Sequence, residues 1–360
     1  MFVRNAWYIA AWTKEVTRVG AFTRTLLGQP VVMFRRRDGT PVAMHDRCPH
    51  RFAPLSCGKV NGDTIQCAYH GMTFSDTGRC VSNPTQPDDK IPRAARVETY
   101  PVVERHNMIW IWLGDPDRAD PEDIPDYYQY DHPDWASDGG HLLVNANYQL
   151  LTDNLLDLTH IAFVHADILG NPHVAKQSET QTDVGDRSVV ERRIIRDGPA
   201  VPAWRLAFDD YDGNVDLWMD MHWEAGANMI LDVGVTPTGK ARDDGIAIFG
   251  LDCLTPETAT STHYFFGAAH KYRSQEPAVT SFWMKALEYA FNQDKAIVEA
   301  VQSRMQGEWD ILKMNPVVNK ADHAAIQARR IVQRLIDEEE QHPPHNDCPA
   351  ATAPAIQAET

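Results

Sequence analysis

The sequence predicts an α+β fold with two unlike parts, because the spacing of hydrophobic residues changes along the chain. Short apolar runs separated by turn residues fill residues 1–135, which is typical of β-strands. Residues 136–340 begin with further strand-like runs and end in two stretches of helical periodicity. The length of 360 residues is enough for two domains. We therefore predict an all-β domain over 1–135 and a domain of strands and helices over 136–340.

A β-hairpin is predicted near the start of the first domain. The apolar residues 31–34 and 42–44 flank the turn pair Asp38-Gly39. Residues 108–113 form another apolar run and predict a buried strand that closes the β region. Residues 114–135 are rich in Pro and Asp and predict a linker at the domain boundary. Further turns are expected at Asn61-Gly62 and Thr77-Gly78.

The second domain is predicted to mix strands with long helices. Residues 141–151 can form a strand, and residues 152–167 are helical in character. Helices are predicted over 281–309 and 323–340, and the Pro- and Ala-rich residues 341–360 predict a disordered tail. Five strand-like runs lie between the helical stretch 152–167 and the predicted helix 281–309. They are 187–196, 215–223, 228–235, 246–254 and 261–269. Apolar side chains alternate with period two in the second run, at Val215, Leu217, Met219, Met221 and Trp223.

Composition narrows the class of protein. A formal net charge of −16 disfavours nucleic acid or an anionic membrane as a partner, because both attract a basic surface. No segment has the apolar length of a membrane span, and the N-terminus lacks the pattern of a secretion signal. Cysteines outside the motif described next are scattered, as expected for free thiols in a reducing compartment. We therefore expect a cytoplasmic enzyme.

Four candidate metal ligands lie in two mixed pairs between residues 48 and 70. One residue separates Cys48 from His50, two separate Cys67 from His70, and sixteen residues lie between the pairs. A structural zinc site also uses two Cys and two His. A zinc finger, however, groups Cys with Cys and His with His, whereas each pair here combines a thiolate with an imidazole. A Rieske [2Fe–2S] cluster needs two thiolates on one iron and two imidazoles on the other, which two mixed pairs can supply.

A second metal site is predicted from His160, His165 and Asp294. The histidines are five residues apart, about 140° around a straight helix, so they reach one ion only if the helix bends or ends between them. Asp294 falls on the apolar stripe of the long C-terminal helix, where an unpaired carboxylate is costly. An ion pair with a Lys or Arg would also explain it. Two His and one carboxylate form the facial triad of non-haem Fe(II) oxygenases, which leaves positions open for O2. The stripe consists of Leu287, Phe291, Val298, Val301 and Met305.

Together these motifs resemble the catalytic subunit of a Rieske non-haem iron oxygenase. The pattern D/N-x2-D-x2-H-x4-H over residues 154–165, with a distant Asp, matches that family. The segments NAWY, CPHR, APLS, LTPET and YFFG resemble the group of vanillate and dicamba O-demethylases. The resemblance implies a Rieske β-sandwich followed by a helix-grip-like domain, an antiparallel sheet with helices around the iron. Ala53 and Tyr69 stand where respiratory-type Rieske proteins carry a disulfide, which favours the oxygenase or ferredoxin branch.

The resemblance also implies a reaction. A monooxygenase of this group would hydroxylate the O-methyl carbon of a vanillate-like methoxy-aromatic acid, giving a phenol and formaldehyde. Electrons from NAD(P)H would come through a separate ferredoxin or flavin reductase, since no Gly-rich dinucleotide fingerprint follows a strand. An N-dealkylase of an aromatic amide and a ring hydroxylase are alternatives. A non-catalytic Rieske electron carrier would not need the His pair and Asp294, and a zinc-stabilised binding protein would be colourless.

Two further residues near the predicted iron receive roles from the resemblance. Asp157, three residues before His160, would share its helical face and bridge that ligand to a cluster histidine of the neighbouring subunit in a homotrimer. Alternatively it only orients a ligand histidine. Asn154 either faces the iron or caps a turn.

The substrate pocket is expected to be apolar with few polar anchors. The resemblance, anchored at Thr255-Pro256 and Asp294, implies that the pocket differs from that of dicamba-demethylating relatives at Leu231, Asp252 and Lys285. Aromatic residues of the strands and helices are further candidates, although aromatics in strands are more often core. These candidates are Trp218, Trp223, Phe265 and Trp283.

Overall fold

A computed structural model describes residues 1–170, 176–207 and 211–342 of the protein. The N-terminal region consists of short antiparallel strands that form a three-stranded sheet, order β1-β11-β10, and two four-stranded sheets, β2-β3-β4-β9 and β5-β6-β7-β8, within this described part. The strands are β1 Trp7–Trp12, β2 Phe22–Leu26, β3 Gln29–Arg35, β4 Pro41–His45, β5 Lys59–Asn61, β6 Thr64–Gln66, β7 Thr73–Ser75, β8 Cys80–Ser82, β9 Thr99–Tyr100, β10 Val102–Arg105 and β11 Met108–Trp112.

The turns that organise this region are those marked in the sequence. Strands β3 and β4 pair antiparallel across the turn at Asp38-Gly39, as predicted. Gly62 and Gly78 take positive φ values of 60° and 72° between β5 and β6 and between β7 and β8. A Cβ at Gly78 would lie 2.0 Å from the carbonyl oxygen of Val97, so only glycine fits that turn. Residues 108–112 form the predicted strand, and all five are buried.

A large antiparallel sheet forms the centre of the C-terminal region, and helices pack against it. The strand order among the described residues is β12-β18-β17-β16-β15-β14-β13. Its strands are β12 Ala136–Val144, β13 Glu179–Val184, β14 Ser188–Pro199, β15 Asn214–Glu224, β16 Asn228–Pro237, β17 Ile246–Thr258 and β18 Ser261–His270. The helices are α1 Tyr148–Leu156, α2 Ile161–Val164, α3 Pro202–Ala207, α4 Pro277–Arg304 and α5 His323–Gln341. The α+β class, with an antiparallel sheet and helices after an all-β region, is confirmed.

Several predicted boundaries are wrong for local reasons. The strand expected over 141–151 ends at Val144, because Asn147 caps helix α1 by accepting a hydrogen bond from the backbone N–H of Gln149 at 2.9 Å. Helix α4 starts and ends about four residues earlier than the expected 281–309. Strand β13 was missed, because it is a mostly exposed polar edge strand without an apolar pattern. Val301 is 37% exposed and lies off the buried stripe of α4.

The described part of the chain agrees with two simpler expectations. Cysteines 48, 57, 67, 80 and 253 are free thiols. No helix in this part is both long and apolar enough to cross a membrane. Of the tail predicted for 341–360, residues 343–360 lie outside the described residues.

Two histidines form a hydrogen-bonded chain between the regions. His263 on β18 donates from Nε2 to the carbonyl oxygen of Thr25 on β2 at 3.0 Å, so its Nδ1 accepts from Nε2–H of His141 on β12, also at 3.0 Å. His263 must be neutral for this chain to form, because its Nδ1 is the acceptor. Burial, with the charge of Arg24 next in size, lowers the pKa of His141 to about 3.

We expect acid to destabilise the protein through His141. Between its ordinary pKa of 6.5 and about 3, the unfolded chain binds a proton that the folded chain does not, so stability falls as pH falls through this window. Lowering the pH from 7 to 5 should cost at most about 2 kcal/mol at this residue. Urea titrations of the parent and H141Q at both pH values would measure this, with H132Q as a control at a more exposed site. An equal loss in the parent and H141Q would contradict the assignment.

Candidate active site

Two loops of matching conformation hold the predicted cluster ligands. In the first, the N–H of Cys48 donates to Ala53 and its carbonyl accepts from Phe52, both at 2.9 Å. In the second, the N–H of Cys67 donates to Met72 at 2.8 Å and its carbonyl accepts from Gly71 at 3.1 Å. The fourth residue after each cysteine has a positive φ, 58° at Phe52 and 77° at Gly71. The same backbone turn therefore presents each Cys–His pair.

The four side chains of these loops lie close together. Cys48 and Cys67 are each 2% exposed, whereas His50 is exposed, and the rings of His50 and His70 lie with centroids 4.5 Å apart. Burial, together with the neighbouring Cys67, raises the pKa of the Cys48 thiol to about 11. A metal centre deprotonates such thiols outright. Two inner thiols and two outer imidazoles are a donor set that fits a Rieske cluster.

A break in the helical segment brings the two iron-ligand candidates together. Helix α1 ends at Leu156, and Asp157 has non-helical backbone angles of φ −110° and ψ 85°. A single 3₁₀ turn, Leu158–His160, then leads into the short helix α2, which ends at His165. The rings of His160 and His165 consequently lie 5.3 Å apart in an edge-to-face arrangement. The sequence required such a bend or end, and the structure contains it.

Asp294 on α4 completes the predicted triad. Ligand atoms of His160, His165 and Asp294 all lie within 4.8 Å of one another. Nε2 of His165 is 3.1 Å from one carboxylate oxygen, and Nε2 of His160 is 3.5 Å from the other. Asn154 donates from Nδ2 to Asp294 at 3.3 Å, so it faces the triad.

Hydrogen bonds behind the triad orient both imidazoles. Nδ1 of His160 donates to the backbone carbonyl of Asp157 at 2.7 Å, and Nδ1 of His165 donates to the side-chain carbonyl of Gln293 at 2.8 Å. Each Nε2 therefore points at Asp294. Nothing in the sequence singled out Gln293, because its role depends on a contact across 128 positions.

The electrostatics of the triad favour a cation. Burial by itself lowers the pKa of His165, but the hydrogen bond to Asp294 and its charge outweigh burial and raise that pKa above its ordinary value. The side-chain oxygen of Asn154 is buried and receives no hydrogen bond from the described residues. Two imidazoles, a buried carboxylate and an unsatisfied oxygen form a donor set that fits a mononuclear Fe(II).

The side chain of Asp157 lies differently from the prediction. Its carboxylate does not share a helical face with His160, because the helix ends there. Oδ1 instead accepts from the backbone N–H and the hydroxyl of Thr159, at 3.0 and 2.7 Å. The link from Asp157 to His160 runs through the backbone carbonyl.

An apolar cavity ends on the triad. Its volume is about 80 Å³. Trp204 and Trp283, with ring centroids 4.6 Å apart, form one part of the wall. Alternate residues of β15 and β16 supply another part: Leu217, Met219, Met221, Leu231 and Val233.

The cavity includes some of the predicted pocket residues and excludes others. Leu231, Asp252 and Trp283 line it. Lys285 does not, because it lies two residues past Trp283 on the exposed side of α4. The other aromatic candidates were wrong: Trp218 bonds to Asp232 and, like Trp223 and Phe265, lies outside the lining.

Apart from the three triad residues, Asp252 is the ionisable residue among the described residues that line the cavity. It is 2% exposed, and its Oδ1 accepts a hydrogen bond from Tyr264 at 2.6 Å. Burial raises the pKa of Asp252 to about 7; the hydrogen bond from Tyr264 opposes this rise, and the charge of Asp294 adds to it. A carboxyl group therefore stands on the sheet side of an otherwise apolar space.

Family models match both regions of the chain. Residues 6–101 match the Rieske [2Fe-2S] domain, and residues 144–338 match the vanillate O-demethylase oxygenase C-terminal domain. The chain belongs to the Rieske non-haem iron oxygenases. It is accordingly a monooxygenase that carries a [2Fe–2S] cluster and a mononuclear iron, and the predicted family is confirmed.

Relatives of several activities match the Rieske oxygenase along nearly its full length. The iron-sulfur subunit TsaM1 of the toluene-4-sulfonate monooxygenase system of Comamonas testosteroni is 36% identical, over 94% of this chain and 98% of that protein. The oxygenase component of chloroacetanilide N-alkylformylase from Rhizorhabdus wittichii is 37% identical, over 94% and 97%. The oxygenase component of dicamba O-demethylase from Stenotrophomonas maltophilia is 36% identical, over 93% and 98%.

Solved structures agree with the fold of this oxygenase. Dicamba monooxygenase bound to 3,6-dichlorosalicylic acid superimposes with a TM-score of 0.89 at 35% identity, over 94% of this chain and 99% of that one. Relatives described as a system subunit or an oxygenase component belong to multicomponent enzymes. The protein is likewise the oxygenase component of a system in which a separate protein delivers electrons.

Proposed function

We propose that the protein O-demethylates a small methoxy-aromatic compound, releasing formaldehyde and the corresponding phenol. The observation that carries this proposal is a cavity, lined by aromatic and aliphatic side chains, that ends on His160, His165 and Asp294. The proposal is supported by the relative from Stenotrophomonas maltophilia, which is the oxygenase component of a dicamba O-demethylase. The vanillate-like acid predicted from the sequence is one member of the substrate class.

Cys48, His50, Cys67 and His70 are proposed to hold the [2Fe–2S] cluster, and the triad the iron. When bound, the two centres supply electron storage and the activation of O2. The residues of the chain supply geometry. Gln293 and the carbonyl of Asp157 keep the Nδ1 protons of the two triad histidines, so that both Nε2 lone pairs stay available.

The cavity walls orient the substrate and keep water out. Trp204 and Trp283 offer flat apolar surfaces to an aromatic ring, and the aliphatic side chains of β15 and β16 exclude bulk water from the reacting methyl group. One oxygen atom inserted into a C–H bond of that methyl group gives a hemiacetal. The hemiacetal loses formaldehyde without further help from the enzyme.

The assembly and the electron supply are part of the proposal. The electron donor is a ferredoxin or flavin reductase that oxidises NAD(P)H, and the oxygenase is a cytoplasmic homotrimer. His50 is exposed, and Oδ2 of the half-buried Asp157 receives no donor from the described residues. A cluster histidine of one subunit can therefore donate to Asp157 of the next.

N-Dealkylation of an aromatic amide is the second candidate. The relative from Rhizorhabdus wittichii is an N-alkylformylase of chloroacetanilides, which are uncharged compounds. The described lining has no Lys or Arg to pair with an acidic substrate, so an uncharged amide also fits. The chemistry differs only in the heteroatom that carries the oxidised alkyl group.

A substrate panel tests the proposal. The iron-loaded oxygenase, a compatible reductase and NADH are incubated with methoxybenzoates, methoxyphenols, N-alkyl anilides and unsubstituted arenes. We expect formaldehyde, in a one-to-one ratio with a phenol, from at least one methoxy compound, because the cavity brings a methyl substituent of one ring to the triad. The aromatic product that remains after loss of the alkyl group is identified by mass spectrometry.

The panel separates the alternatives by product. An aldehyde from the anilides but not from the methoxy compounds would replace O-demethylation by N-dealkylation. Ring-hydroxylated arenes without formaldehyde would show a ring hydroxylase. A His160→Ala enzyme serves as the blank for uncatalysed oxidation by the reductase.

A further inference from the structure

The strand that carries Asp252 leaves an open space beside its carboxyl group. Ile248, Gly250 and Asp252 of β17 all line the cavity, as expected for alternate residues of a strand. Gly250 has no side chain, and the Cβ it lacks would lie 3.7 Å both from Oδ2 of Asp252 and from Cβ of Leu231. Oδ2 therefore lies over the gap that Gly250 leaves in the wall.

The two oxygens of this carboxyl group have different surroundings. Oδ1 accepts the hydroxyl proton of Tyr264 at 2.6 Å. Within the described residues no donor reaches Oδ2, although the side chain is more than nine-tenths buried. A buried carboxylate oxygen without a donor is costly, and a ligand that supplies one removes this cost.

The charge of the lining points to the same kind of ligand. Asp252 and Asp294 are both acidic, and no Lys or Arg lines the described cavity. An iron bound at the triad would be coordinated by Asp294. The wall near Gly250 would not coordinate it. An anionic carboxylate or sulfonate placed against the β17 wall would meet the acidic side chain of Asp252, and the described lining offers no Lys or Arg as a counter-charge.

We propose that Asp252 anchors the substrate by accepting a hydrogen bond at Oδ2, and thereby selects uncharged aromatic compounds with a phenolic O–H or an N–H over aromatic acids. This inference rests on the proposed function, because it describes the substrate of the same cavity. Tyr264 is the positioning residue, since its hydroxyl turns the carboxyl group so that the second oxygen faces the ligand.

Binding without turnover is the test. The probes are the three methoxyphenols, the three methoxybenzoates and methoxybenzene, titrated calorimetrically into the iron-loaded oxygenase without reductase or O2. We expect at least one methoxyphenol to bind about tenfold or more tightly than methoxybenzene, and more tightly than the corresponding methoxybenzoate. Equal or tighter binding of the methoxybenzoates would overturn the inference, and so would a failure of every probe to bind.

The variant D252N sharpens the test, because it keeps the shape and changes one oxygen into a donor. Tyr264 holds the remaining oxygen, so the amide N–H₂ faces the cavity. The advantage of the methoxyphenol over methoxybenzene should fall by about tenfold, and methoxybenzoate binding should improve. D232N, on the neighbouring strand β16, removes the same charge outside the cavity and should leave every affinity unchanged. An unchanged ratio in D252N would exclude Asp252 as the anchor.

Two comparisons keep the result interpretable. Retained binding of methoxybenzene by D252N shows that the cavity still folds, and a Y264F enzyme should show a smaller loss in the same direction. Formaldehyde release is measured separately. If no probe yields formaldehyde but the D252N shift appears, the demethylation proposal fails and the anchor stands; if the methoxybenzoates bind and react best, the anchor fails and demethylation stands.

Discussion

Replacing Asp294 by alanine should remove the mononuclear iron and with it the turnover, while the protein keeps its red-brown colour. The carboxylate faces both histidines, at 3.1 and 3.5 Å, and is 2% exposed, so its removal takes away the charged member of the triad. Even residues behind a ligand typically change metal affinity or activity by about 10–100-fold. We therefore expect a loss of turnover of at least about 100-fold, measured together with iron content and electron paramagnetic resonance of the reduced protein.

The same measurements on E288A provide the control, because Glu288 is an exposed carboxylate on the same helix. The E288A variant should keep the [2Fe–2S] cluster, the mononuclear iron and full turnover. The reduced parent should show a Rieske spectrum, and the spectrum should persist in D294A. A D294A enzyme that oxidises substrate at the parent rate would remove Asp294 from the iron site, and a silent sample with stoichiometric zinc would remove the cluster assignment.

Replacing Asp157 by asparagine should uncouple the two metal centres. Oδ1 is occupied by Thr159, so the amide group of the variant would stand where Oδ2 stands in the parent. An amide N–H₂ there opposes the N–H of a cluster histidine from a neighbouring subunit and leaves a mismatch of about 1–3 kcal/mol. The hydrogen bond from His160 to the backbone carbonyl is untouched, so iron binding should survive. We expect full loading of both centres and a turnover reduced by tenfold or more.

Rapid mixing distinguishes this effect from a simple loss of iron. The loaded variant is reduced in one step with substrate and O2 present, and the cluster absorbance is followed. A cluster that reduces at the parent rate but reoxidises slowly supports the bridge. D186N, an exposed acid on the same domain, should behave as the parent. Reoxidation of D157N at the parent rate, or full activity of a strictly monomeric parent, would rule out the route between subunits.

The sequence predicted those parts of the site in which local spacing carries the chemistry. Cys48 with His50 and Cys67 with His70 each lie within one tight turn, so the order of residue types alone restricts the metal centre. The same holds for His160 and His165, whose separation required the break that Asp157 provides. Asp294 was found because a carboxylate on an apolar helical stripe needs a partner.

The pocket was predicted only in part, because its walls depend on which face of each element turns inward. Trp218 and Trp283 were both named as candidates from the sequence, yet Trp283 faces the cavity and Trp218 bonds to Asp232 outside it. A shift of two positions on a helix moves a side chain to the opposite side, which is why Lys285 is exposed. Propensity and period do not set these rotations; packing against the sheet does.

By itself the sequence determined the order of a β-rich region before a mixed region and the family, and it predicted the two sets of metal ligands. Each depends on residues that are close in the chain or on a strong period. Only the tertiary structure decided that Gln293 orients His165, that Asp157 reaches His160 through its carbonyl, and that Asp252 faces a cavity with no counter-charge among the described residues. The contacts of Gln293 and Asp252 join separate elements of the fold, and that of Asp157 depends on where a helix ends. Packing determines the contacts of Gln293 and Asp252, and backbone angles determine that of Asp157. None of the three contacts is visible in local spacing.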